Sequence, residues 1–185
     1  MEYSIILVKP DGVKRGLMGE IISRFEKAGL KMIAGKLVLI GEDLAFKHYD
    51  VDDDWFENIG QKIHKFYKEN GLDAGEELGQ LTNHQMGEMV QKWNVDYLTE
   101  GPVMAMIWEG PKGTITIIRK IVGSTYPVEA SPGTIRGDYC LDSPDLTNRQ
   151  KRSIHNLVHA SGSVEEAEKE RQLWFKEKEI CSYEK

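Results

Sequence analysis

The sequence predicts an α+β fold of the ferredoxin-like type, a βαββαβ chain whose antiparallel sheet carries helices packed on one face. Three features point there. A β-branched, apolar run at Tyr3–Val8 stops at Pro10-Asp11-Gly12, and a helical face and a second apolar run follow it in β-α-β order. After a polar middle region the same kind of alternation resumes from Pro102 to Phe175. At 185 residues, 40% of them hydrophobic, the chain is long enough to close one core, and a single domain over 1–185 is expected.

Each element has its own local reason. Tyr3–Val8 is expected as a buried strand, and Pro-Asp-Gly as the turn that leaves it. From Gly19 to Ala28, Ile21, Ile22, Phe25 and Ala28 share one helical face, and Gly29 suits the C-terminal cap. Lys31–Ile40 is the second strand, with a short helix over Asp43–Tyr49 after it. Asp50, Asp52, Asp53 and Asp54 then open two polar helical segments that run to about Leu98. Gly71, Gly75 and Gly79 punctuate this part, which reads as an excursion on the domain surface.

Pro102–Trp108 is the next strand, closed by Gly110-Pro111-Lys112-Gly113. Thr114–Val122 fits a strand by its β-branched residues and a helix by the spacing of Ile117, Ile118, Ile121 and Val122. Gly123–Asp138 reads as a loop and Ile154–His159 as the last strand. Ser163–Phe175 is the last helix, with Glu165, Glu166 and Glu168 early, where the helix dipole favours carboxylates.

Bulk properties narrow the function. The 24 basic and 30 acidic side chains give a formal charge of −6, which repels extended nucleic acid yet leaves room for one nucleotide, since a phosphate needs only a few converging donors. Cys140 and Cys181 lie far apart in no metal or disulfide pattern, which fits a reducing, cytoplasmic setting. The first apolar run breaks at Lys9 and Pro10, and no run reaches the ~20 apolar residues a bilayer needs, so neither signal peptide nor membrane span is expected.

Of the five histidines, only His159 ends an apolar strand just before a small-residue turn and a helix. A neutral imidazole has a lone pair at physiological pH and serves as a nucleophile when a partner pins its second nitrogen. Glu170, on the following helix, is the candidate partner, with Ser161. Strict alternation sets Asn156 on the opposite strand face from His159. His155 and His159, four apart, lack a third ligand for a metal site. His48, His64 and His84 read as surface residues. Taken alone, His159 reads equally well as a polar strand-end residue.

Asn156-Leu157-Val158-His159-Ala160-Ser161 resembles the N-x-x-H-x-S signature of nucleoside diphosphate kinases. Val8-Lys9-Pro10-Asp11-Gly12-Val13 with Arg15-Gly16, Gly133-Thr134-Ile135-Arg136-Gly137-Asp138 and the Ser163–Phe175 helix resemble the same family in the same order. The resemblance implies a ping-pong transfer of the γ-phosphate between ATP and other nucleoside tri- and diphosphates, through phosphorylated His159. It implies that Lys9 contacts the β- and γ-phosphates, that Tyr49 lies beside phosphates and histidine, and that Arg119, Thr125 and Arg136 bind phosphate oxygens. Asn156 would bind the sugar, Glu170 and Ser161 would orient His159, and Mg²⁺ would be held mainly by nucleotide phosphates. It further implies a homo-oligomer, hexamer or tetramer.

The chain departs from the family pattern in three places. Gly162 stands where the signature continues with Asp, removing a capping side chain. Insertions fall at about 57–93 and 141–155, the second locally basic through Arg149, Lys151 and Arg152. The aromatic that stacks on the base falls at Trp55 or Phe56, with Phe56 taken into the nucleotide-binding set. Both insertions would flank the nucleotide entrance as a lid or as altered base contacts. Two rival functions are a non-catalytic nucleotide-binding module, which Gly162 favours, and an interaction protein using Asp52–Asp54 as a recognition patch.

Overall fold

The computed structural model describes residues 1–184. The chain runs β1 (Glu2–Val8), α1 (Pro10–Lys14), α2 (Met18–Lys27), β2 (Lys31–Val38), α3 (Glu42–His48), α4 (Asp53–Glu69), α5 (Ala74–Leu78) and α6 (Asn83–Thr99). It continues with β3 (Val103–Gly110), α7 (Thr114–Val122), α8 (Ile135–Tyr139), α9 (Pro144–Gln150), β4 (Val158–Ala160) and α10 (Val164–Trp174). The strands form one antiparallel sheet in the order β2-β3-β1-β4.

The two-residue period of the central strands sorts their side chains into two cores. Ile6, Val8, Met106 and Trp108 face α2 and α7, joined by Ile21, Phe25, Ile118 and Val122. Ile5, Leu7, Ala105 and Ile107 face the other way and meet Ala45 of α3, Val95 and Leu98 of α6, and Trp174 of α10. Helices therefore cover both faces of the sheet, not one. A sheet with apolar residues on both sides leaves no face for water.

Several local expectations change for identifiable reasons. The Pro-Asp-Gly turn is the first turn of α1, because Pro10 at the first helical position has the right φ and no N–H to leave unpaired. Thr114–Val122 is a helix. Glu2, on β1, accepts hydrogen bonds from the N–H groups of Gly113 (3.0 Å) and Ile115 (2.8 Å), and so caps α7 across 111 residues of sequence. The 123–138 segment contains α8, whose Thr134 Oγ1 accepts from Gly137 N–H at 3.1 Å. The last strand is three residues long, since Leu157 adopts φ +63° and breaks the extended backbone.

Both insertions are helical. Asp52 caps α4 by accepting from Trp55 N–H at 2.8 Å, with Asp53 and Asp54 in the first turn, so the acidic run starts a helix. A Cβ on Gly60 would lie 2.2 Å from Asn83 O and one on Gly87 2.4 Å from Phe56 Cα, so α4 and α6 cross in backbone contact that only glycine permits. Beside the crossing Ile63, Tyr67, Ala74 and Met86 form a satellite core. The second insertion, α9, is tied to the first: Tyr67 O–H donates to Asn148 O at 3.3 Å and Lys151 Nζ to Glu77 O at 2.6 Å.

Candidate active site

His159 sits on β4 opposite Leu7 of β1, and Lys9 follows β1 directly. Lys9 N–H donates to Leu157 O at 2.7 Å, locking the end of β1 to the strained residue that precedes β4. The left-handed kink at Leu157 also breaks the alternation that would set Asn156 apart from His159. Both line one cavity of about 690 Å³, together with Lys9, Tyr49, Arg119 and Arg136. Thr125 lines it too, and its carbonyl accepts from Asn156 Nδ2 at 3.0 Å. Asn156 Oδ1 accepts from Lys9 Nζ at 3.0 Å, so one amide spaces the lysine from the 125 loop.

Behind the ring lie the orienting groups. Glu170 Oε1 is 2.5 Å from His159 Nε2, though off the line of a hydrogen bond, and Glu170 Oε2 accepts from Ser161 Oγ at 2.6 Å. Ser161 Oγ in turn accepts from Ile5 N–H at 3.0 Å, anchoring the carboxylate to the sheet. Burial pushes the Glu170 carboxyl up, opposed by His48 and by the Ser161 hydrogen bond. Burial and then the positive charge of Lys9 push His159 well below the usual histidine range, which keeps its imidazole neutral.

The cations are held differently from one another. Arg136 is buried and donates to four carbonyls, those of Gly123, Ser124, Asn156 and Val158, which leaves one of its five N–H groups without a partner among the described residues. Burial lowers it to about 10. Arg119 spends one N–H on Ala160 O at 3.3 Å. Lys9 is lowered to about 7, first by burial and then by Arg136. Lys9, Arg119 and Arg136 stand around one end of the void with no ion pair to a carboxylate among the described residues, and together form an anion site; Lys62 and Arg152, the latter paired with Asp142, line the same cavity. Asp138 does not pair with Arg136. It accepts from Arg24 at 2.6 Å.

Three sequence expectations need correction. His48 is no surface residue: its side chain is 1% exposed, its ring centroid is 4.5 Å from that of His159, and Trp174 Nε1 donates to its Nδ1 at 3.4 Å. The signal lay in α3, where Ala45 and His48 are three apart and so share the buried face. Trp55 lines the cavity and Phe56 does not; successive helix residues diverge, and Phe56 packs on His84 with centroids 4.8 Å apart. Gly162 does not leave α10 uncapped, because Ser163 Oγ accepts from Glu166 N–H at 3.1 Å and the Glu166 carboxylate accepts from Gly162 N–H. Sequence reading also missed Tyr97 of α6, which lies 4.9 Å under Lys9 Nζ and donates to Asp11 at 2.6 Å.

A neutral histidine backed by a carboxylate and faced by an anion site suits transfer of a phosphoryl group. Comparison with known proteins agrees. The family model described as nucleoside diphosphate kinase matches residues 2–69 and 54–180. The chain belongs to the nucleoside diphosphate kinase family. A nucleoside diphosphate kinase from Pyrobaculum aerophilum is 44% identical over 180 residues, 97% of this chain and 98% of its own. Another, from Methanothermobacter thermautotrophicus, is 42% identical over all of this chain and 93% of its own.

Among solved structures, an NDP kinase from Pyrobaculum aerophilum superposes with a TM-score of 0.93 at 43% identity, covering 98% of this chain and 99% of that one. The nucleoside-diphosphate kinase of Borrelia burgdorferi, a transition-state mimic with bound vanadate and ADP, matches at 0.78 and 35% identity, over all of this chain and 92% of that one. The chain is thus an enzyme of nucleotide phosphotransfer with the family's α+β fold. Among the described residues no helix is long and apolar enough to cross a membrane.

Proposed function

We propose that the enzyme moves the γ-phosphate of a nucleoside triphosphate to a nucleoside diphosphate by a ping-pong route through phosphorylated His159. The observation that carries this reading is the Glu170 carboxylate held between His159 Nε2 and Ser161 Oγ. With Nε2 facing Glu170, Nδ1 is the nitrogen left to attack. It bonds to the γ-phosphorus, the bond to the β-γ bridging oxygen breaks, and that oxygen leaves with the diphosphate. A second diphosphate then enters, and its terminal oxygen takes the phosphoryl group from Nδ1.

Lys9 and Arg119 have donors to spare for the β- and γ-phosphate oxygens, and Arg136 adds its remaining N–H and its charge. Thr125 contributes to the phosphate end, Asn156 to the sugar, and Tyr49 stands beside the phosphates and His159 with its buried O–H unpartnered among the described residues. Trp55 takes the base-stacking role first given to Phe56. The three cations do not suit a bare divalent ion, and Asp50 and Glu166 are the carboxylates of the cavity wall. Mg²⁺ therefore fits as an ion carried by the phosphates, whose charge it neutralises, with those two carboxylates as candidates for its outer waters.

The same reading gives a cytoplasmic enzyme built as one domain with a helical insertion at about 57–93. It assembles as a hexamer or tetramer, which exposed Leu37 on the edge strand β2 and exposed Leu39 just after it support. The test is incubation with γ-labelled ATP and Mg²⁺ followed by removal of nucleotide. Acid-labile label on wild type and none on His159→Ala is expected; equal label on both would sink the proposal.

A further inference from the structure

Lys9 is a buried ammonium with little to replace its water. It is 7% exposed, and its Nζ spends one of three N–H donors on Asn156 Oδ1 at 3.0 Å. Taking such a group out of water is costly unless something negative stands in for the solvent. Arg136 of α8 adds repulsion, which Asp11 of α1 and Cys140 just after α8 oppose. His159, across on β4, faces Lys9 as a neutral ring.

What lies beneath Lys9 is an aromatic face. Tyr97, near the end of α6 and 3% exposed, has its ring centroid 4.9 Å from Lys9 Nζ, within the range of a cation–π contact. Its O–H donates to Asp11 Oδ1 at 2.6 Å, so the carboxylate that favours Lys9 is engaged by the same side chain. A phenol that donates to a carboxylate gains electron density in its ring, which strengthens the pull on a cation. The His155 ring stacks on Tyr97 at 4.5 Å and 16°, and His155 N–H donates to Asp142 Oδ2 at 2.8 Å, which holds the plane of the tyrosine.

We propose that Tyr97 is a positioning residue for Lys9, its face taking the place of a counter-ion so that the ammonium stays charged and available to phosphate. This rests on the reading of Lys9 as a phosphate donor. A carboxylate paired with Lys9 would neutralise it at rest and compete with an anionic ligand. A π-face attracts the cation and leaves its charge to be used.

The experiment is titration of the full-length enzyme with inorganic pyrophosphate and Mg²⁺, at about pH 8 and about pH 5.5, on either side of the resting value of Lys9 near 7. The series is wild type, Tyr97→Phe, and that variant with one, two or three fluorines on the ring, which keep its shape and progressively weaken its negative face. Asp11, Cys140, Arg136, His155 and His159 are common to the series, so the comparison isolates the ring. At about pH 8 the dissociation constant is expected to stay within about threefold of wild type in Tyr97→Phe and to climb with each fluorine to about tenfold. At about pH 5.5 Lys9 is charged in every variant, no proton has to be taken up on binding, and the climb is expected to vanish.

A flat series at the higher pH would overturn the proposal, as would a loss of equal size at both pH values, which is what a packing defect alone produces. Lys9→Met tells the two readings apart. Weaker pyrophosphate binding in Lys9→Met with a flat series would refute the platform and leave Lys9 as a phosphate donor. Unchanged binding in Lys9→Met would refute Lys9 as a phosphate donor, and the proposal with it.

Discussion

Replacing Glu170 with glutamine separates orientation of the nucleophile from stability of the fold. The variant keeps the shape of a residue that is 5% exposed but removes its charge. The carboxylate contacts His159 Nε2 at 2.5 Å and accepts from Ser161 Oγ at 2.6 Å. Off line in the resting site, the contact to His159 aligns as a charge-assisted hydrogen bond when the imidazole attacks; such a bond contributes about 1.5–3 kcal/mol, so its loss slows phosphorylation roughly 10- to 150-fold. Stability should move the other way. A carboxyl whose pKa rises on folding costs stability once pH exceeds its ordinary 4.5, so at neutral pH the neutral amide removes a penalty. Single-turnover labelling with γ-labelled ATP gives the rate, and thermal unfolding at neutral pH gives the stability. A variant that labels within twofold of the wild-type rate would refute the orienting role of Glu170. A fall in rate matched by a large fall in melting temperature would refute the separation.

Lys9, lowered to about 7 in the empty site, regains its charge beside phosphate, so nucleotide binding near pH 8 should take up protons and weaken as pH rises toward 10.5, by at most about tenfold per pH unit. Calorimetry in buffers of different ionisation enthalpy measures the uptake. His48, pushed down to about 3 by burial, makes the folded state bind fewer protons than the unfolded one between that value and 6.5, so its share of stability is lost as pH falls through this window. His159 acts with the same sign, so His48→Gln should reduce, not abolish, the drop in urea midpoint between about pH 7 and about pH 5. Gly87→Val would force apart α4 and α6 at a contact of 2.4 Å and should cost about 1–3 kcal/mol in chemical denaturation.

What could be read from the sequence depended on how local the cause was. β1, β3 and α10 follow from short-range pattern, and Ser163 with its early glutamates marks the start of the last helix where the structure has it. Thr114–Val122 could not be settled locally because the capping carboxylate belongs to Glu2, at the far end of the chain. β4 was drawn too long because nothing in Leu157 announces a positive φ, which leucine rarely adopts. That kink is also what brings Asn156 to the cavity beside His159. His48 was misplaced because burial of a lone histidine depends on what packs over it, here Trp174 and the ring of His159. The insertions were visible as extra length, but how they pack depends on the α4–α6 crossing at Gly60 and Gly87 and on the ties to α9.

The central claim is that His159 carries the phosphoryl group between two nucleotides, and the most direct measurement is a chase of the isolated labelled enzyme. The protein is labelled with γ-labelled ATP and Mg²⁺, freed of nucleotide, and mixed with GDP. The account predicts rapid loss of label from the protein, with labelled GTP formed in equal amount. Label that stays on the protein in the presence of GDP, or that leaves as inorganic phosphate, would contradict it.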